Sequence, residues 1–111
     1  MSLVHAVSGD VVSVQPLADA LPNAISTAIV RTPRLELIRT VLHAGRSVPE
    51  HKIDGELTLQ CIEGELRVHA HGREISLVPG QMLFLDGGVS HSVKAIKDSS
   101  ALLTLLRIKT R

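Results

Sequence analysis

The 111-residue chain contains no tryptophan, no tyrosine and a single phenylalanine. That scarcity excludes several activities. Proteins that hold single-stranded nucleic acid stack its bases on aromatic rings, and this chain has no such platform. Sugar-stacking faces are missing for the same reason, and no tyrosine is present to act as a general acid. One cysteine forbids an internal disulfide and fits a reducing cytoplasm. Charge is balanced at a net +1, so no strong field draws the chain to nucleic acid or anionic lipid. The basic residues near the end (Lys94, Lys97, Arg107, Lys109 and Arg111) read as solvated edge positions. No apolar run approaches the roughly 18 residues of a membrane span. The start, MSLVHAVSGD, lacks a charged n-region and a long apolar stretch, so no signal peptide is expected.

Aliphatic residues take the place of aromatics. Hydrophobic residues make up 44% of the chain, enough for the core of one domain at this length. Residues 1–24 are the least regular and are expected to form an N-terminal strand or arm packed on the domain. GDVVSVQPLAD has room for one short strand, and LADALPNAIS for a helical turn cut short by Pro22. Residues 25–111 are expected to form one β domain. ISTAIVR and RLELIRTVL are β-branched runs split by a turn at TPR, and HAGRSVPE reads as a loop. Leu57, Leu59 and Cys61 alternate with Glu56, Thr58 and Gln60, which marks one buried face. Leu66, Val68 and Ala70 continue on the opposite parity, and Gly64 between the runs suits a bulge or tight turn that resets it. AHGRE reads as a hairpin tip. ISLVPG, MLFLDGG, HSVKAI and ALLTLLRI complete eight or nine short strands, the spacing of an all-β barrel or jelly roll. Leu102 to Leu106 are apolar on both faces, as in a strand covered on two sides. EGEL, PGQM and DGGV read as turns, because no helix follows them to cradle a phosphate.

Two glycine-framed segments carry further information. Gly45 is followed by five residues, then His51, Lys52 and Ile53, then Leu57 after three more and Gly64 after another six. Gly80 is followed by five residues, then Asp86, Gly87 and Gly88, then His91 after two more and Ala95 after another three. Gly45 to Ala95 thereby resembles the cupin superfamily, whose two motifs have these spacings. The resemblance implies an all-β, double-stranded β-helix (jelly-roll) barrel. It also implies a metal held by three His and one Glu, a divalent transition metal such as Zn, Ni, Fe or Mn. His51 and His91 stand at two of those four places. Ile53 replaces a His and Leu57 the Glu; Asp86 and Ala95 replace a Pro and an Asn.

The expected ligand pocket therefore comprises His51, Ile53, Leu57, Cys61 and His91, with His51 and His91 as the metal-ligand candidates. Two neutral imidazoles bind metal weakly, since iron and catalytic zinc sites take three protein ligands. Glu56 would supply a carboxylate if Gly55 bulged, and His43, at a strand end, is a candidate third ligand. Cys61 reads as a small core residue or, more sharply, as a soft ligand. His69 and His71 flank a hairpin tip on the solvent parity. Two functions follow. The first is a binding module that holds a small molecule by His51 and His91 in an apolar barrel with a degenerate metal site. The alternative is a metal-dependent enzyme of the dioxygenase or isomerase type that adds a ligand from outside the motifs, or acid–base chemistry by a histidine. A homodimer is expected, because cupins of this length pair through barrel sheets and the run Leu102 to Leu106 agrees.

Overall fold

The alternation that begins near Ile25 becomes nine strands among the described residues. The structure, a computed structural model, describes residues 5–107. The strands are β1 (Thr27–Arg31), β2 (Leu35–Leu42), β3 (Ser47–His51), β4 (Leu57–Glu63), β5 (Leu66–Ala70), β6 (Arg73–Leu77), β7 (Met82–Leu85), β8 (His91–Ala95) and β9 (Ser99–Leu106). They form a five-stranded sheet ordered β1-β2-β9-β4-β7 and a four-stranded sheet ordered β3-β8-β5-β6. Every pairing is antiparallel. β9 enters between β2 and β4, and β8 between β3 and β5, so the chain winds as a jelly roll. Among the described residues no helix is long and apolar enough to cross a membrane.

The core lies between the two sheets. Leu57, Leu59 and Cys61 of β4 face Leu66, Val68 and Ala70 of β5, with Leu77, Leu85, Ala95, Ala101 and Leu105 around them. Each fully buried leucine contributes about 1.5–3 kcal/mol. The change of parity between Cys61 and Leu66 has a topological cause: β4 and β5 belong to different sheets. Gly64 makes the corner at φ +87°, and a side chain there would collide with the Asp98 carbonyl and with Ser99. β9 is the central strand of the larger sheet. Its inner residues Ala101, Leu103 and Leu105 join the core, while Leu102, Thr104 and Leu106 lie on the outer parity. That is why the run is apolar on both sides.

HAGRSVPE differs from its reading as a loop, since Ser47–His51 is β3 and pairs with β8. The strand lies at the edge of its sheet, where a proline costs no ladder bond, and a bulge between Val48 and His51 erases its alternation. The short strand expected in GDVVSVQPLAD does not form, whereas the expected helical turn does, as a 3-10 helix at Ala18–Asn23.

The segment before β1 runs over the larger sheet. The Ala6 N–H donates to the Ile29 carbonyl at 2.8 Å, and Arg39 Nη2 donates to the Ser13 carbonyl at 3.3 Å. Its firmest attachment is Glu63. A second bulge, between Cys61 and Glu63, places Glu63 opposite Ser100 on the outer side of the sheet. There the carboxylate accepts the Leu17 N–H at 2.8 Å, the Ala18 N–H at 3.0 Å and the Ser100 hydroxyl. Leu17 is right-handed and Ala18 is left-handed at φ +51°, so consecutive N–H groups form a concave anion-binding nest. Burial pushes the Glu63 carboxyl up. The hydrogen bonds from Ser100, Leu17 and Ala18 and the Arg39 charge more than offset this and hold it below the usual glutamate value.

Candidate functional site

The bulge in β3 determines where His51 stands. Val48 pairs with Val93 and His51 pairs with His91, so β3 spends three steps where β8 spends two. Val48 and His51 consequently face the same side, although three positions apart. Both line a cavity between the sheets, as do Val93 and His91. The two imidazole rings have centroids 4.5 Å apart and tilt by 50°. His91 is buried at 5% exposure, whereas His51 is exposed and stands at the cavity mouth.

Each ring is oriented by the backbone carbonyl two residues before it. His51 Nδ1 lies 3.0 Å from the Pro49 carbonyl oxygen, and His91 Nδ1 lies 3.0 Å from the Val89 carbonyl oxygen. A carbonyl oxygen only accepts, so both Nδ1 atoms carry the proton. The Nε2 atoms have no hydrogen-bond partner among the described residues.

The cavity has a volume of about 100 Å³. Ile53, Leu57, Leu59, Leu85 and Leu103 form much of its wall. Besides the two histidines, only Thr40 and Ser99 contribute polar side chains among the described residues. The Ser99 hydroxyl is already bonded to the Lys97 and Glu65 carbonyls at 2.7 and 3.2 Å and to the Glu65 N–H at 3.0 Å. The β7–β8 turn is held against residues 53–55, next to Ile53 of the cavity wall. The Gly88 N–H donates to the Ile53 carbonyl at 2.8 Å, and Gly87 sits so close to the Asp54 carbonyl that no side chain fits.

Four of the five residues read as pocket residues, His51, Ile53, Leu57 and His91, meet at this cavity. Cys61 does not line it. The thiol lies farther along β4 in the solid core, 3.5 Å from the Glu63 carbonyl and 3.9 Å from that of Gly64. Burial pushes its pKa up, the backbone bond to Glu63 opposes this, and the Glu63 and Glu65 charges add to the rise. Glu56 is no substitute ligand. Leu57 keeps the inward place without a bulge at Gly55, and Glu56 borders the outer surface beside Phe84 and Leu106. His43 faces Asp98 at 3.9 Å, away from the cavity wall, and His69 and His71 are exposed. Sequence reasoning missed Thr40, Leu42, Leu83 and Leu103, whose alternation on β2, β7 and β9 was visible but had no motif to anchor it.

These residues do not fit a resident metal. Among the described residues no group of three or more His, Cys, Asp or Glu is placed to hold an ion. The donor set at the cavity is two imidazoles, with hydrocarbon at the two remaining motif places, and iron and catalytic zinc sites require more.

A family model described as Cupin domain matches residues 38–106. A cupin superfamily protein from Desulfitobacterium hafniense is similar at 22% identity and TM-score 0.72, over 74% of this chain and 75% of that one. A conserved protein of unknown function from Streptococcus pyogenes superposes at 15% identity and TM-score 0.76, over 99% and 100% of the two chains. A mutant salicylate 1,2-dioxygenase from Pseudoaminobacter salicylatoxidans matches 72% of this chain but only 25% of its own, at 20% identity and TM-score 0.65. At such identities the likeness is one of fold. No curated protein sequence matches the chain significantly. The jelly-roll topology and the family match over residues 38–106 agree, and the chain belongs to the cupin family.

Proposed function

We propose that the protein is a binding module that takes a small, mostly apolar molecule into the barrel, with His51 and His91 as its polar anchors. One observation carries this reading: two imidazoles stand side by side on a wall that is otherwise almost wholly hydrocarbon. Ligand sites are commonly apolar with a few placed polar groups. The metal-dependent alternative, a dioxygenase or isomerase using His51, His91 and a further donor, needs a carboxylate or third imidazole. No such side chain among the described residues lines the cavity.

The test is metal analysis of tag-free protein together with a thermal-shift screen of small metabolites, on wild type, His51→Ala and His91→Ala. Binding without metal that weakens in both variants supports the reading. Stoichiometric metal that disappears in both variants overturns it in favour of the enzyme.

A homodimer in a reducing cytoplasm belongs to the same proposal. Met82 and Phe84 on the edge strand β7, and Leu106 on β9, are exposed on the outer parity of the larger sheet, and such clusters favour association. Sedimentation at micromolar concentration tests this, and a monomer there refutes it.

A further inference from the structure

The hydrogen bonds that orient the two rings also restrict what the cavity accepts. Both Nδ1 protons are committed to the carbonyls of Pro49 and Val89, each at 3.0 Å. A neutral imidazole protonated at Nδ1 offers only a lone pair at Nε2. The cavity thus presents two acceptors and no free donor from its histidines. The Ser99 hydroxyl is engaged by its neighbours, which leaves the Thr40 hydroxyl, able to donate or accept, as the one further polar group among the described lining residues. Among the described residues no lysine, arginine, aspartate or glutamate lines the wall.

We propose that the ligand is a neutral hydrogen-bond donor on a compact hydrocarbon frame, of the phenol or simple alcohol class, whose hydroxyl donates to His91 Nε2. The proposal rests on the binding-module reading and narrows its ligand. A carboxylate or phosphate would meet two lone pairs, a single Thr40 hydroxyl and no cation, too little to replace its hydration. An ammonium would find no carboxylate to balance it. A pure hydrocarbon would fit the walls but leave the acceptor of the buried ring unpaired. Size points the same way. The cavity of about 100 Å³ is smaller than the roughly 150 Å³ apolar cavity that holds benzene, which limits the frame to at most one small ring with its hydroxyl toward the open mouth. His51, the exposed member of the pair, remains able to accept from water or from a second hydroxyl.

The experiment titrates metal-stripped protein with phenol, toluene and benzoate. Affinities come from cavity methyl shifts, and proton placement from the imidazole ¹⁵N resonances. Phenol is expected to bind on the order of fivefold to tenfold tighter than toluene, the worth of one net hydrogen bond. Benzoate should be weakest, His91 Nε2 should shift on phenol binding, and both Nδ1 should stay protonated. His91→Leu should remove the advantage of phenol over toluene. If phenol and toluene bind equally, or benzoate binds best, the donor class is wrong while the binding module stands. If none of the three moves a cavity resonance, the binding reading fails and this inference fails with it. The wild-type titration decides between these outcomes even if the His91 variant does not fold.

Discussion

Glu63 Oε2 accepts the Leu17 N–H at 2.8 Å, joining positions 46 apart, and so fastens the N-terminal arm to the outer side of β4. Glu63→Gln keeps the shape but loses the charge that the nest and Arg39 face. It should cost about 1.5–3 kcal/mol of arm attachment, in the range for hydrogen bonds to charged groups. Hydrogen exchange should show faster exchange at Leu17 and Ala18, with the protection of β4 and β9 kept.

The same carboxylate makes the arm sensitive to acid. Its pKa is lower in the folded protein than in the unfolded chain. The stability it contributes is therefore fully present above the ordinary glutamate pKa of about 4.3 and lost as pH falls through the depressed value. Arm protection should decline below about pH 4 in wild type and stay flat with pH in Glu63→Gln. Limited proteolysis across that range would show a parallel decline in both if another group were responsible.

Gly87→Ala should loosen the cavity mouth. The added methyl would collide with the Asp54 carbonyl, which cannot swing aside as a side-chain tip can. A loss of about 1–3 kcal/mol is expected, the usual cost of forcing atoms into a filled space. Thermal unfolding measures it, and the His51 and His91 resonances should shift together.

Leu85→Ala should separate stability from capacity. Leu85 is 2% exposed and lines the cavity, so its truncation should cost about 2–5 kcal/mol. The enlarged space should admit alkylated phenols that wild type rejects. Calorimetric titration checks the gain in size tolerance, and an unchanged size limit would show that the mouth, not the wall, selects.

Cys61 should resist thiol reagents until the protein opens. Burial raises the pKa of its thiol, which disfavours the reactive thiolate, and the side chain is fully buried. Labelling by a disulfide reagent at neutral pH should be slow in native protein and accelerate through the urea transition.

The strands that repeat every second residue were readable before any coordinates, because β4 and β5 each bury one face, while the other is half-buried in β4 and exposed in β5. That His51 and His91 share one cavity was implied by the resemblance of the two glycine-framed spacings to the cupin motifs, and alternation agreed with it. The bulges in β3 and β4 were not readable. Periodicity assigns Glu50 and His51 to opposite faces but says nothing about which faces inward, and it assigns Glu63 to the face of Cys61. Cys61 illustrates a further limit: parity tells which side of a sheet a residue occupies, not how far along the barrel the hollow part extends.

The supernumerary residue in β3 makes the cavity's chemistry depend on chain length. A gene copy lacking one codon between Val48 and His51 would encode an unbroken ladder with imidazole still opposite His91. The same codons read out as a flat ladder would instead bring Glu50 inward, trading a neutral lone pair on nitrogen for a negative charge. The Ser90 hydroxyl, donating to Glu50 Oε2 at 2.7 Å, ties that carboxylate away from the cavity. In this barrel a displacement of about 3–4 Å along one edge decides whether an imidazole or a carboxylate faces His91.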